Sequence, residues 1–345
     1  MKRLTAFLSA AVICASTAFF SIGTVINGGL LKNTPECVPL YRKLQQSYQK
    51  LSLALGKDCI GSYFITDNRI IRQNYGYHPE TVQHNIGLVN SYADSLSGTL
   101  YWMVAPTAVG IYSDTLSSYA PQASEQTLLS ETAQAVGENV SWIDLYGTMY
   151  AARDSYAYYR TDPRWTSYGA FCAYKTAIRK LGLANLGLDR YDIEHRINDF
   201  RGVFYQETQY DGIDADIIDL YYCQDGAEIK SITAPLSGIS YDSFFQEPTA
   251  ENPHSIFLAE QEPILNVETG VHNDKSLLVI SDGYGSNFVP FLTQHYRSLT
   301  FVNLNSATPK DLHSVYADVY SQVLLLCSAD TLASANGFAA LEPET

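Results

Sequence analysis

The stretch KSLLVISDGYGSNFVPFLTQHYRSLTFVNL, residues 275–304, decides the fold class. It contains two apolar runs, KSLLVIS at 275–281 and RSLTFVNL at 297–304, with a helical pattern through NFVPFLTQHY between them. Apolar runs of this kind are typical of strands buried on both faces, and a helix between two of them predicts a parallel βαβ unit. The loop that follows the first run, Asp282–Asn287, should then lie at the carboxyl end of a strand, where α/β proteins place functional residues.

The same alternation continues in both directions along the chain. We predict strands at 62–66, 99–106, 141–147, 156–160 and 322–328, and helices at 80–98, 125–137, 165–182 and within PKDLHSVYADVYS. Residues 190–270 differ, because DIIDLYYC and AEIKSIT resemble antiparallel strands separated by polar loops. The pattern predicts an α/β fold, in which helices cover both faces of a mainly parallel sheet and an irregular β-rich insertion occupies about 190–270.

The N-terminus indicates export. Met1-Lys2-Arg3 is followed by no charged residue until Lys32, and the apolar run between them is long enough to cross a bilayer. We therefore expect residues 1–30 to be a signal peptide or an N-terminal membrane anchor, and both alternatives stay open. Residues 31–345 should form a single domain, either anchored on the extracellular face of the cytoplasmic membrane or secreted.

Composition excludes several classes of function. The formal net charge of −14 argues against nucleic acid as a partner, because that binding depends on Lys and Arg neutralising phosphates. A neutral glycan remains compatible with this charge. The histidines are scattered and no C-x-x-C spacing occurs, so we expect neither a metal nor a cofactor. Cys37 and Cys59 could form a disulfide, whereas Cys172, Cys223 and Cys327 are expected to be small buried hydrophobic residues.

A second loop at a carboxyl end lies in YYRTDPRWTSYG, residues 158–169. Asp162 precedes Pro163, and an Asp at the N-cap with Pro at the first helical position is a favoured way to begin a helix. A working carboxylate in an α/β enzyme would occupy the same place. We expect a cap only, and a catalytic role stays open.

Three segments resemble the DHHW family of exported bacterial proteins, named for Asp-His-His-Trp. They are YYRTDPRWTSYGAFCAYKTAI at 158–178, MVAPTAVGIYSDTL at 103–116 and LLVISDGYGSNFVPFLTQHY at 277–296. The family is similar to the SGNH-like domains of alginate O-acetyltransferases. The resemblance implies an SGNH-like α/β/α sandwich with a Ser–His–Asp arrangement, in which His takes the serine proton and Asp orients the His.

Position by position, the resemblance implies that the chemistry is lost. Asp162 and Trp165 match the family signature, but Pro163 and Arg164 stand at the two histidine positions. Arginine stays protonated at neutral pH and cannot accept the proton of a serine. The Asp-His-His-Trp loop therefore lacks its base.

The loop that carries the nucleophile has changed as well. Gly283 stands at the serine position, between the retained Asp282 and Tyr284, and Gln261 stands where an oxyanion-binding Asn is expected. Glycine has no side-chain atom that could attack a carbonyl. Losing one catalytic member of such a triad costs about a millionfold in turnover, and losing two costs little more.

Several alternatives stay open around this remnant site. Ser286 or Ser281 could act as a relocated nucleophile if His254, His295 or His313 approached it. Arg164 could instead offer a fixed positive charge to a carboxylate or sulfate, and the backbone of 283–285 could hold an anion, although a tight turn is the stronger interpretation.

Two further clusters have a structural and a functional interpretation. The tyrosines of 156–159 and 221–222 could stack on sugars, but core positions are the stronger interpretation. The aspartates of DGIDADIID (211–219) predict a solvated turn leading into a strand rather than a calcium loop.

The sequence thus predicts a non-catalytic SGNH-like envelope protein that binds a glycan or an envelope partner. The alternatives are an active esterase or O-acyltransferase acting on cell-surface polysaccharide, and a structural partner of an active paralogue.

Overall fold

The computed structural model describes residues 41–74, 76–116 and 124–343. The expected export segment at 1–30 and the Cys37 half of the expected disulfide lie outside these residues. No helix within the described residues is long and apolar enough to cross a membrane.

Thirteen strands are present in the described residues. They are β1 Cys59–Ile60, β2 Tyr63–Ile65, β3 Ile70–Arg72, β4 Leu100–Ala105, β5 Val140–Ile143, β6 Tyr191–Phe200, β7 Asp216–Cys223, β8 Ile229–Ala234, β9 Ile239–Tyr241, β10 Ile264–Thr269, β11 Ser276–Ser281, β12 Ser298–Asn303 and β13 Gln322–Ser328. The α-helices of the same residues are α1 Tyr41–Ala54, α2 Pro79–Asp94, α3 Ala108–Ile111, α4 Glu125–Ala135, α5 Tyr146–Ala151, α6 Ser167–Lys180, α7 Val203–Thr208, α8 Val289–Leu292, α9 Pro309–Ser314 and α10 Ala329–Leu332.

An eight-stranded sheet in the order β5-β4-β13-β11-β12-β10-β8-β9 forms the centre of the fold. The first five strands are parallel, and β10, β8 and β9 extend one edge in antiparallel pairing. Strands β8, β9 and β10, from the region expected to be an insertion, thus belong to the main sheet. Strands β6 and β7 form a separate ribbon, and β1–β3 form a small antiparallel sheet.

Both faces of the central sheet are covered. Along β11, Leu277 and Val279 belong to one core cluster, while Leu278 and Ile280 belong to the other. Residues of α6 complete the first cluster, and residues of α2 and α4 complete the second. Successive side chains of a strand point to opposite faces of the sheet, so this near-continuous apolar run fills two cores. The predicted α/β/α sandwich with a mainly parallel sheet is confirmed.

Some predicted elements are wrong in detail. Residues 156–160 are not a strand, because Tyr158 makes only an isolated bridge with Trp165. The helical pattern of 287–296 yields only α8, which a short 3-10 turn at Gly283–Gly285 precedes. Gly182 ends α6 with a left-handed φ of +77°, as expected of a C-terminal glycine.

Candidate functional site

Two loops meet at the carboxyl ends of the parallel strands, and Trp165 joins them. Its side chain is fully buried, and its Nε1–H donates to Asn287 Oδ1 at 2.8 Å and to the Tyr284 carbonyl at 3.0 Å. In return, the Tyr284 hydroxyl donates to the Pro163 carbonyl at 2.6 Å. The sequence-predicted residues of 162–165 and 282–287 are therefore held together as one site.

Arg164 lies between two carboxylates in this site. Its Nε and Nη2 donate to Asp162 Oδ1 and Oδ2 at 2.7 and 2.9 Å, and its Nη1 pairs with Glu260 Oε1. The Arg164 side chain keeps 15 % of its surface exposed, and that of Asp162 keeps none. All three guanidinium nitrogens are thus bonded to carboxylates, which argues against the hypothesis that Arg164 offers its charge to an anion.

His254 joins this cluster through Glu260. The His254 ring is buried, and its Nδ1 lies 2.7 Å from Glu260 Oε1. Its Nε2 is also buried and has no hydrogen-bond partner among the described residues, and the ring packs against Tyr159, Phe200 and Phe257. An imidazole with a carboxylate on one nitrogen is the arrangement of a general base. Here the other nitrogen faces aromatic rings instead of a nucleophile.

The charges of the cluster determine its titration. Burial raises the pKa of Glu260, but His254 and Arg164 outweigh burial and lower the pKa to about 2. Burial also opposes ionisation of Asp162, yet Arg164 holds the pKa of that carboxyl below its usual value. Both carboxylates therefore stay ionised at neutral pH, and Glu260 is a weak base.

Asp162 does not cap α6, so the prediction that it begins this helix is wrong. Helix α6 begins at Ser167, and the Thr166 side chain accepts from the Gly169 N–H as its cap. Asp162 instead accepts from Arg164 and from the backbone N–H of Val203.

Gly202 explains how the backbone reaches Asp162 so closely. A Cβ atom at Gly202 would lie 2.3 Å from the Asp162 Cβ. Only glycine fits this approach without displacing the carboxylate.

Gly283 faces the Arg164–Glu260 pair. A Cβ atom built on Gly283 would lie 3.7 Å from Arg164 Cδ and 3.8 Å from both Glu260 Oε1 and Asn305 Nδ2. These are ordinary contact distances, so a side chain at 283 would fit and would point at the cluster. The structure thus brings together the positions that the resemblance assigns to the nucleophile and its base.

Asp282 has a structural part in the same loop. Its carboxylate accepts from the Tyr284 and Ser328 backbone N–H groups and from the Thr331 hydroxyl, at 2.6 to 3.0 Å. Burial raises its pKa. Since the Tyr284 N–H already has this partner, the 283–285 loop is a tight turn rather than a free anion site.

Neither candidate serine contacts a histidine. Ser286 Oγ donates to the Gly283 carbonyl at 2.8 Å and lies 3.3 Å from Glu260 Oε1. Ser281 is fully buried, and its hydroxyl donates to the Asp282 carbonyl at 3.2 Å.

The other two candidate histidines have partners elsewhere. His295 Nε2 lies 2.6 Å from the Tyr174 hydroxyl, and His313 Nδ1 lies 2.6 Å from the Pro309 carbonyl. Only His254 reaches the site, through the carboxylate of Glu260.

Gln261, three cysteines and the aspartates of 211–219 lie outside the Arg164 cluster. Gln261 donates to the Ser255 carbonyl at 2.6 Å and so is bonded away from Gly283. Cys327 is fully buried as predicted, whereas Cys172 and Cys223 are only half-buried. The solvated turn predicted to lead into a strand is confirmed for Asp211 and Asp214, which are exposed ahead of β7, whereas Asp216, the first residue of β7, is buried.

The tyrosine clusters divide between core and surface. Tyr158, Tyr159 and Tyr221 are buried in the core, which confirms the structural interpretation for these three. Tyr222 is 42 % exposed and Tyr156 is half-buried.

An open cleft of about 580 Å³ lies over Gly283. Arg164 and Glu260 form part of its wall, and Arg72 and Asp330 form an ion pair at its edge. The remaining polar side chains of the lining are neutral or acidic: Gln206, Glu251, Asn252, Asp282, Tyr284, Asn303, Asn305, Ser306, Ser328 and Thr331. The cleft is therefore neither filled by Trp165 nor strongly basic.

Known proteins share this fold. A DHHW family protein from Eubacterium siraeum superposes with a TM-score of 0.67 and 22 % identity, over 80 % of this chain and 93 % of that chain. PatB1 from Bacillus cereus gives 0.65 and 17 % over 80 % and 99 %, and its structure with a sulfonyl adduct gives 0.64 and 16 % over 80 % and 97 %. No curated protein matches the chain. The family model of the DHHW protein matches residues 50–302. The chain therefore belongs to the DHHW family.

Proposed function

We propose that this chain is an exported cell-envelope protein whose SGNH-like cleft binds a polysaccharide without catalysing acyl transfer. One observation carries the proposal: Gly283 has no side chain where a nucleophile would face the cluster, and Arg164 occupies the place of a base. The charged N-terminal Lys2-Arg3 and the apolar run after it support export.

The shape and chemistry of the cleft support a neutral polyhydroxylated ligand. Its side-chain amides and carboxylates can donate to and accept from sugar hydroxyl groups. Asn252, Asn305 and Gln206 are exposed at the cleft and are available for this role. The net charge of −14 and the two carboxylates on Arg164 disfavour an anionic ligand at this place.

Ester hydrolysis or acyl transfer by a relocated serine is the second candidate function, because Ser286 Oγ lies 3.3 Å from Glu260 Oε1. Glu260 would have to accept the serine proton, and a carboxylate whose pKa is about 2 is poorly matched to that task. The geometry therefore favours binding over catalysis.

An esterase assay with p-nitrophenyl acetate separates these functions. We expect no turnover by the wild type above that of Ser286→Ala, none in Gly283→Ser alone because its serine lacks a base, and turnover in Gly283→Ser combined with Arg164→His. Wild-type turnover that disappears in Ser286→Ala would establish the relocated serine instead.

Binding is tested with a panel of neutral oligosaccharides by calorimetry. Asn305→Ala should weaken binding at least about tenfold, which corresponds to ~1.4 kcal/mol, and Asn185→Ala, outside the cleft, is the matched control. If no oligosaccharide binds and no turnover occurs, the polysaccharide proposal fails and a structural partner of an active paralogue becomes the better account.

A further inference from the structure

A second cavity of about 690 Å³ lies apart from the cleft and shares none of its lining residues. Strand β2 and the turn that connects it to β3 form one wall, and residues 112–116 and 153–160 form the others. Three arginines line it, namely Arg69 on the first of these walls and Arg153 and Arg160 on another. Such a concentration is notable in a chain whose net charge is −14.

Arg69 is buried at this cavity without a charged partner. It is 6 % exposed, and its guanidinium carbon lies 3.6 Å from the centre of the Tyr112 ring. Its Nε donates to Asn68 Oδ1 at 3.3 Å, and its Nη1 has no hydrogen-bond partner among the described residues. Most buried polar groups are bonded, so Arg69, which lines the cavity, carries an unsatisfied buried donor.

Arg160 provides a second guanidinium of the same kind. Its Nη1 makes one long hydrogen bond, 3.4 Å, to the Ala215 carbonyl, and its guanidinium carbon lies 5.0 Å from the centre of the Tyr156 ring. Neither Arg69 nor Arg160 forms an ion pair with a carboxylate of the described residues. Burial lowers the pKa of Arg69, which Tyr112 and the Asp216 carboxylate partly offset and the like charge of Arg160 reinforces.

The nearest buried carboxylate has other partners. Asp216 accepts from the Tyr156 hydroxyl, from the backbone N–H groups of Arg160 and Thr161, and from the Thr161 hydroxyl, at 2.5 to 2.9 Å. Neutral donors therefore occupy both of its oxygens.

The remaining charges at this cavity are more exposed. Asp58, Asp67 and Asp154 are exposed, where water and salt screen them. Arg153 lies over the Tyr150 ring and 3.8 Å from Asp114. Arg69 and Arg160 thus remain the two arginines of this cavity that form no ion pair with a described carboxylate.

We propose that the Arg69–Arg160 cavity binds an oxyanion, which is either a carboxylate or a phosphate group of its ligand. Guanidinium groups bind both anions through paired N–H donors, and two of them facing one cavity can share a single anion. This site is independent of the proposed cleft, because the two have no residue in common.

Calorimetric titration of the full chain with inorganic phosphate and with D-glucuronate, at constant ionic strength, tests the proposal. D-Glucose serves as the neutral probe. We expect at least one anion to bind, glucose not to compete, and Arg160→Gln to weaken anion binding at least tenfold. Arg297→Gln, which changes an exposed arginine elsewhere, should leave the affinity unchanged. Arg69→Gln should act like Arg160→Gln if the variant folds, which circular dichroism establishes.

The two anions also distinguish the group that the cavity prefers. Tighter binding of phosphate would indicate a phosphate group, and tighter binding of glucuronate would indicate a carboxylate. Absence of binding by both anions would overturn the proposal. So would an affinity that is the same in the wild type and in folded Arg160→Gln. Failure of the oligosaccharides at the cleft would leave this result untouched.

Discussion

At the cleft, Arg164 lies between the carboxylates of Asp162 and Glu260, whereas at the second cavity Arg69 and Arg160 line one space without an ion pair to any described carboxylate. The first cluster, with two negative charges and one positive charge, should disfavour an added anion. The second has two positive charges and should favour one. The position of an arginine at a cavity therefore does not by itself predict anion binding. Binding depends on whether other groups already accept hydrogen bonds from its N–H donors.

Removing one guanidinium from each region should give the largest difference in the free energy of unfolding. Arg164→Met leaves the buried carboxylate of Asp162 without a charged partner and the carboxylate of Glu260 with His254 alone, and we expect the free energy of unfolding to fall by about 3–5 kcal/mol. Arg160→Met loses only one long hydrogen bond, so its loss should be about 1 kcal/mol or less. Urea denaturation of both variants measures this difference. Equal losses would contradict the comparison.

A steric change at the cleft should have a smaller effect. Gly202→Ala places a methyl group 2.3 Å from Asp162 Cβ, and overpacking of this kind costs about 1–3 kcal/mol. Gly147→Ala in α5 is the matched control, because no atom lies within 4 Å of its added Cβ. Thermal unfolding of both variants checks the prediction, and a neutral Gly202→Ala would mean that Asp162 is not held tightly.

Acid should weaken the cleft cluster in a defined window. The pKa of Glu260 is lowered from about 4.5 to about 2, so the unfolded chain takes up its proton first as the pH falls. The stability that the ionised carboxylate contributes is therefore full above pH 4.5 and is lost progressively towards pH 2. Glu260→Gln should reduce the slope of stability against pH in this window by up to about 1.4 kcal/mol per pH unit.

The control for this pH series is Glu251→Gln, an exposed residue at the edge of the cleft. It should leave the slope close to that of the wild type. A Glu260→Gln variant with an unchanged slope would show that Glu260 is not the group that titrates.

The sequence predicted the sheet well because burial repeats along the chain. The apolar run of β11 contributes side chains to both core clusters. The parallel strands of such a sheet are covered by helices on both faces, so a continuous apolar run predicts them from sequence alone. The loops after β11 and before α6 could likewise be placed at one edge. Local patterns failed where tertiary contacts determine the backbone conformation. The residues around Tyr158 have a high β propensity, yet Tyr158 forms only one isolated bridge.

The Asp162 prediction failed for a related reason. An Asp–Pro pair is a strong local signal for a helix start, yet Asp162 bonds to Arg164 and Val203, and Thr166 provides the cap. Glu260 also escaped sequence reasoning, because it meets Arg164 across 96 positions of the chain, and the sequence could not select His254 from the three candidate histidines. Long-range ion pairs leave no periodic trace in a single sequence.

The most direct test of the account is intact-mass spectrometry after exposure to phenylmethanesulfonyl fluoride, which sulfonylates activated serine hydroxyls. The wild type and Ser286→Ala should both remain unlabelled, and the double variant Gly283→Ser, Arg164→His should gain one adduct on its introduced serine. That result would support a cleft that has kept its shape without its nucleophile. A single adduct on the wild type that maps to Ser286 and is absent from Ser286→Ala would contradict the account and identify an active enzyme.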